Sequence, residues 1–385
     1  MKNILLATTG LFGAALLATA ASAQTPKVTI GGFTDFQAGF VSDDFDANTR
    51  SQAFRQDTEI QVRVDGKTDG GLGYGAVIDL EADVTEDVNT QGTNAGRVFT
   101  YLDGSWGKVE LGSNAGAAAT TRVDASTLAA ATGGINGAWI FQPSLTAIGG
   151  VPAGSLAGSG GFVTTSRLVT EHGSTTVLGD EATLNSNKIT YYSPRFSGFQ
   201  VGASYTPKLG ARGQTINRQD NGGNFGDILE AGVNFDHQFD NGLKLAASLT
   251  GETGSDDQAN TEDLRAYALG VLLGYQGFSG AVSYGDWGDS GRADATNNDD
   301  SDYWSAGLGY DGGMYALSAT YLNSTRETGA NTDNDFNNFV LGADYKLAPG
   351  ITPYAEVSFY EFDQGGAGGF DNDGTAVILG TQVAF

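Results

Sequence analysis

Apolar and polar residues alternate along most of this chain with a period of two, in runs of about ten residues divided by Gly, Asn and Asp clusters. The alternation predicts strands near 27–40, 53–66, 72–84, 96–105, 107–112, 187–196, 198–207, 228–239, 242–252, 263–276, 277–287, 302–311, 313–324, 336–347, 351–362 and 374–385. These are sixteen, an even number, as a closed antiparallel sheet requires. Short turns fall at 65–70, 104–107, 197–198, 240–242, 276–277, 311–313 and 348–350. Long polar links fall near 41–52, 85–95, 113–186, 208–227, 253–262, 288–301, 325–335 and 363–373. Short and long connections strictly alternate. A soluble sandwich has no reason to keep that rhythm, whereas a barrel with turns on one rim and loops on the other does. An extra hairpin near 161–170 would raise the count to eighteen.

Facing follows from the same pattern. In the second run Ile60, Val62 and Val64 share one face, opposite Arg55, Asp57, Glu59, Gln61 and Arg63. In the third, Tyr74, Ala76, Ile78 and Leu80 oppose Asp79, Glu81 and Asp83; in the eighth, Leu229, Val233 and Phe235 oppose Glu230, Asn234 and Asp236. The last run places Val377, Leu379, Val383 and Phe385 on one face. In water that uncapped apolar strand would invite aggregation. It makes sense if it zips into a closed sheet whose outer face meets lipid. The expected fold is all-β, a transmembrane antiparallel β-barrel of sixteen strands. Its charged inner face cannot form a dry core, so the barrel holds water. Aromatic pairs near strand ends (Phe33 and Phe40, Tyr191 and Tyr192, Phe199 and Tyr205, Tyr303 and Tyr310, Tyr315 and Tyr321, Phe339 and Tyr345) are expected to mark two interfacial girdles.

The N-terminus changes the compartment. Lys2, an apolar stretch from Ile4 to Leu17 and the small-x-small end Ala21-Ser22-Ala23 read as a signal peptide over residues 1–23. The rival, a retained helix, is disfavoured because the run is shorter than the roughly 20 residues a spanning helix needs. Residues 24–385 are then one exported barrel domain in the outer membrane. Cysteine is absent, so stability has to come from an extensive sheet without disulfides. The formal net charge of −25 excludes nucleic acid as a partner. The chain has two histidines, His172 and His237, and neither Gly-x-Ser-x-Gly nor His-Glu-x-x-His, so it is not expected to be an enzyme.

The link 113–186 is too long for a simple connection. It offers helical turns at 115–119 and 126–131, and apolar anchors at Trp139, Ile140, Phe141, Leu145, Ile148 and Val151. Folding it into the lumen buries those groups and narrows the hole. Its charges, Arg122, Asp124, Arg167, Glu171, Asp180 and Glu181, would then reach the water path. On the wall, Arg55, Arg63, Arg97 and Lys188 point inward by alternation as a cationic strip facing the loop acids. The alternative is that each cation pairs with a nearby inward carboxylate such as Asp57 or Glu59. Counting Glu59, Asp79, Glu81, Asp83, Glu230, Asp236 and Glu356 inside, cations are expected to pass more easily than anions. Acidic loop tips at 43–46, 256–257, 297–302 and 371–373 offer calcium a place, although solvated, mutually repelling loops account for them as well. No other cofactor is expected.

The signal peptide, the opening Lys27–Phe33 (KVTIGGF), the stretch Lys108–Ser113 (KVELGS) before the long link and the terminal phenylalanine together resemble the general porins of Gram-negative outer membranes. The likeness spans the mature chain. The family's assembly signal is matched at Gly380, Val383 and Phe385, while Ile378 stands in its polar place. The resemblance implies a sixteen-stranded homotrimer with its third external loop folded inward. It also implies passive passage of small hydrophilic solutes and ions, and contact with the barrel assembly machinery, outer-membrane lipid and lipopolysaccharide. The link 113–186 is longer than the family usually shows. A substrate-selective channel with an aromatic track, and a structural or adhesive barrel displaying acidic loops, are the competing readings.

Overall fold

The computed structural model describes residues 25–44, 50–82, 94–128, 134–137, 139, 186–210, 213, 214, 216, 218, 225–256, 261–291, 301–329, 332–366, 369 and 371–385. Among them run sixteen strands. The first eight are β1 Lys27–Asp43, β2 Gln52–Lys67, β3 Gly73–Glu81, β4 Asn94–Gly104, β5 Gly107–Ser113, β6 Asn187–Tyr192, β7 Phe199–Lys208 and β8 Phe225–Gln238. The rest are β9 Lys244–Asp256, β10 Leu264–Tyr275, β11 Phe278–Gly288, β12 Ser301–Asp311, β13 Tyr315–Gly329, β14 Thr332–Tyr345, β15 Ile351–Gln364 and β16 Asp371–Ala384. A short helix α1, Ala117–Thr121, and single turns of 3-10 helix at Ala125–Leu128 and Gly134–Asn136 lie between β5 and β6. The expected signal peptide lies outside the described residues.

Each strand pairs antiparallel with its sequence neighbours, and β1 pairs with β16 to close the barrel. That seam runs from Phe33↔Ala384 to Asp43↔Gly374. It is finished at one rim by Gly32 and Phe385, whose backbone N–H groups each donate to the other's carbonyl at 3.0 Å. Closure satisfies every strand's ladder, as a sheet in hydrocarbon requires. β5 pairs directly with β6, from Lys108↔Tyr192 to Ser113↔Asn187, which leaves no place there for the two extra strands of an eighteen-stranded barrel. The tight turns Ser197-Gly198 and Gln276-Gly277 have positive φ at both central residues, the geometry that lets two-residue hairpins follow the strand twist. β6 stops at Tyr192 rather than near residue 196, because Pro194 has no N–H to offer a ladder.

The outer face carries exposed Val28, Ile30, Leu111, Ile189, Leu229, Val233, Leu249, Leu269, Val271, Leu273, Val282, Leu308, Leu317, Leu341 and Leu379. In water so much continuous apolar surface would be untenable; in a bilayer it is the solvated face. The aromatic expectation is corrected in half its pairs. Phe199 and Tyr205, Tyr315 and Tyr321, and Phe339 and Tyr345 are six apart; both members of the Phe199, Tyr315 and Phe339 pairs are outward or share the outward register. In the other three pairs the spacing is odd, and a period of two then sends one member inside. Phe33 shares the face of Glu59, and Tyr192 and Tyr303 are buried.

Leu269, near the middle of β10 and exposed, is expected to tolerate no charge. Leu269→Arg should cost about 2–4 kcal/mol in lipid, read as a lower urea midpoint for unfolding from vesicles. An unchanged midpoint would place this face outside the hydrocarbon.

Candidate functional site

The segment after β5 enters the barrel and follows its inner wall. Ser113 Oγ donates to Asn187 Oδ1 at 2.8 Å, and Asn114 Nδ2 to Glu110 Oε2 at 2.6 Å. The Lys188 ammonium donates to the Asn114 carbonyl. Helix α1 then lies against β7 and β8. The Ala117 N–H donates to Ser204 Oγ at 2.7 Å, and Asn234 Nδ2 to the Thr121 carbonyl at 2.9 Å. Next, the Val123 N–H donates to Ser248 Oγ at 2.8 Å. A backbone at this depth needs partners from the wall, and inward serines and an asparagine supply them.

Two inward glycines permit the close approach. A Cβ on Gly232 would lie 2.0 Å from Thr121 Oγ1, and one on Gly270 would lie 1.7 Å from the Val123 carbonyl oxygen. Farther along, Ala125, Ile135 and Trp139 join a buried apolar cluster with Tyr303, Leu322, Phe336, Val340, Tyr354, Ala376 and Ile378 from the wall. The expected helical turn at 115–119 is present two residues later, and of the one expected at 126–131 the described part is a 3-10 turn at Ala125–Leu128, residues 129–131 lying outside the described residues. The inward fold of this segment is real for its described part. Nothing is described for Arg167, Glu171, Asp180 and Glu181, which lie outside the described residues.

After bonding Glu110 of β5 through Asn114, the described segment follows the wall from β6 round to β1 rather than along the rest of the β2–β5 wall. There the cations keep their water: the side chains of Arg55, Arg63, Arg97 and Lys108 are 39%, 44%, 39% and 34% exposed. Each is paired with a carboxylate. Arg55 meets Asp57 at 2.7 Å, Arg63 meets Asp65 at 2.9 Å, Arg97 meets Asp79 at 2.6 Å and Lys108 meets Glu110 at 2.5 Å. Three of these four pairs join residues two apart on one strand. The simpler alternative, cations neutralised by their neighbours, is therefore what the geometry contains.

Lys188 has to be taken out of the cationic strip. It points inward as the alternation says, but the loop stem covers it and leaves it 4% exposed, near Glu230 and Glu252. Glu230 and Glu252 face each other across β8 and β9, buried beside it. Glu230 and Glu356 therefore do not face the water path. Arg122 and Asp124 also differ from expectation. They pair with each other at 2.6 Å, and Asp124 accepts from the Ser126 N–H at 2.9 Å and from its hydroxyl, so the two staple the loop internally. Asp79, itself buried, also accepts from Gln61 Nε2 at 2.8 Å.

What the wall keeps is an acid excess. Asp57, Glu59 and Glu81 each offer a carboxylate oxygen within 4.8 Å of the others. They come from two strands, because Glu59 and Glu81 are direct partners in the β2–β3 register. Alternation marks these three singly, and the wall residues Lys108, Asp65 and Tyr101 are additions from the structure. Lys108 and Arg63 lie over the Tyr101 ring at 4.8 and 5.4 Å, and the Tyr101 hydroxyl donates to Asp65. The signal for Lys108 was present in its i+2 spacing from Glu110 on an inward-facing row. Of the expected assembly signal, Val383 and Phe385 are exposed, whereas Gly380 lies under the Tyr354 ring.

A closed sixteen-stranded barrel with a lipid-type exterior, a charged inner wall and an inward loop defines a membrane channel of the porin type. The sequence profile described as Gram-negative porin matches residues 7–365, and the chain belongs to that family. Among solved structures it is similar to an anion-selective porin from Comamonas acidovorans (19% identity, 94% of this chain and all of that one, TM-score 0.64). An engineered variant of the Rhodopseudomonas blastica porin is also similar (15% identity, 93% and all, TM-score 0.59). Among curated sequences it is similar to uncharacterised proteins of Rickettsia typhi (27% identity, 94% of this chain and 93% of the relative) and Rickettsia conorii (26%, 87% and 86%).

Lys188→Met would leave two buried carboxylates with no cation. Breaking a buried charge arrangement in this way costs about 3–5 kcal/mol, so the temperature at which the folded band disappears on unheated gels should fall. Adding Glu252→Gln should restore part of the loss. A Lys188→Met barrel as heat-resistant as the wild type would refute this account of the loop stem.

Proposed function

We propose that this protein is a water-filled channel of the outer membrane through which small hydrophilic solutes and ions diffuse passively, with cations preferred. The observation that carries the preference is the Asp57–Glu59–Glu81 cluster on the water-facing wall. Along β2–β5 four cations, Arg55, Arg63, Arg97 and Lys108, are matched by Asp57, Asp65, Asp79 and Glu110, so Glu59 and Glu81 tip this wall to net negative, and a low-dielectric barrel focuses that potential on the passing ion. Selectivity belongs to the wall charges of each chain, so the anion preference named for the Comamonas protein does not decide it here. A substrate-selective aromatic track is the weaker reading. On this wall Phe99 and Tyr101 are buried, with Lys108 and Arg63 lying over their rings.

Assembly as a homotrimer is part of the same reading. β5 has 7 residues and β6 has 6. Six residues at about 3.3 Å each reach about 20 Å, short of the roughly 30 Å of hydrocarbon. A second copy covering that low stretch of wall removes the mismatch. Export by the signal peptide over residues 1–23, insertion by the barrel assembly machinery and contact with lipopolysaccharide complete the proposal.

In planar bilayers separating unequal potassium chloride solutions, the reversal potential should show cation preference. Anion preference, or no conductance from folded barrels, rejects the reading. Replacing Asp57, Glu59 and Glu81 with their amides should weaken the preference, and Arg55→Gln with Arg63→Gln should strengthen it. Reversal potentials that ignore both sets would put these residues off the path.

A further inference from the structure

The far end of the described loop is fixed by one side chain. The Trp139 ring lies against β1 where Gly39 has no side chain: a Cβ there would lie 2.2 Å from the indole ring. The indole N–H donates to Gln37 Oε1 at 2.6 Å, and Gln37 Nε2 donates to Asp35 Oδ2 at 2.8 Å. The Tyr354 hydroxyl donates to the same carboxylate at 2.7 and 2.9 Å. All four side chains are buried. The direction of every bond is forced. An indole only donates, an ionised carboxylate only accepts, and the glutamine amide can join them in one orientation alone. Tyr354 is held in turn by lying over Gly380 of β16. Four residues before Trp139, Ile135 is fully buried in the same cluster as Ala376 and Ile378 of β16, and the Gly134 N–H is bonded to Glu356 of β15.

These partners come from β1, β15 and β16, the strands on either side of the closing seam. Asp35 and Tyr354 are 319 positions apart. They meet only when β1 and β16 have paired. We propose that Trp139 is the positioning residue of the constriction, a latch seated across the seam, so that the inward loop takes its final place only after the barrel has closed. The latch holds the far end of the described loop against β1, β15 and β16. It rests on the channel reading for its consequence, the width of the water path, but not for its geometry.

Two variants test it from opposite sides. Trp139→Ala removes the ring, and Gly39→Val leaves the ring intact but occupies its seat. Both should raise single-channel conductance and add current noise. Trp139→Phe, which still lies on Gly39 and loses only the indole hydrogen bond, should stay near wild type. Equal conductance from wild type, Trp139→Ala and Gly39→Val would overturn the proposal.

Fluorescence supplies a readout that needs no current and no new fold. The Trp139 contribution, taken as the difference between wild-type and Trp139→Phe spectra, should be blue-shifted and shielded from acrylamide. In Gly39→Val it should shift red and become quenchable. An unmoved Trp139 signal in Gly39→Val overturns the latch, even where the barrels conduct. Wild-type barrels that fail to conduct reject the channel reading and leave the fluorescence test of the latch intact.

Discussion

Backbone N–H and C=O groups inside hydrocarbon have no water to bond, so a spanning sheet must leave none of them open. In this chain that demand is met where β1 meets β16. Once the ribbon has closed, a period of two divides every strand into a lipid face and a lumen face. Leu229 and Glu230 are neighbours in sequence, yet one is exposed outward and the other is buried beneath the loop. Closure therefore decides which residues can ever bear on function. An inward side chain can reach the water or the loop, and an outward one can reach neither.

The lumen is itself divided. Where the loop lies, the wall is small and hydroxyl-bearing: Ser204 and Ser248 receive loop N–H groups, and Gly232 and Gly270 leave room for the loop backbone. Along β2–β4, where the described loop does not run, the wall carries ion pairs whose cations remain hydrated. The division follows from solvation. A loop carbonyl or N–H pressed on a charged wall would dehydrate the charge, a cost of several kcal/mol per ion. A wall of glycine and serine asks for no such sacrifice. Asp35 and Glu356 at the loop's far end depart from this, and so do Lys188, Glu230 and Glu252, which lie where the loop stem leaves the sheet and its orphan carbonyl at Asn114 needs a strong donor.

Alternation made the fold legible because each strand repeats it, and sixteen weak signals with a regular rhythm of short and long links leave few architectures. The same rule corrects the girdles. Phe33 with Phe40, and Tyr303 with Tyr310, have the spacing of two membrane interfaces, but seven residues is an odd number and reverses the face. Inward direction was also legible, at Arg55, Arg63, Arg97 and Lys188 alike. Whether an inward residue meets water was not. That depends on the loop's path, and nothing local to Lys188 distinguishes it from Arg97. Trp139 stood out as apolar, but its seat at Gly39 lies a hundred positions away on another strand. No periodicity links the two.

Ile378 carries the argument one step further. Judged against the family's assembly signal, it is an apolar residue where a polar one belongs. In the folded barrel it is an inward position, fully buried in the cluster that includes Ile135 and Trp139. A polar side chain there would face the underside of the loop with no partner, and burying an unpaired polar group costs about 1–3 kcal/mol. The terminal strand thus serves two constraints at once. Its outward residues, Leu379, Val383 and Phe385, answer to lipid. Its inward residues, Ala376 and Ile378, answer to the loop, and the departure at Ile378 is the mark that the second constraint leaves on the sequence.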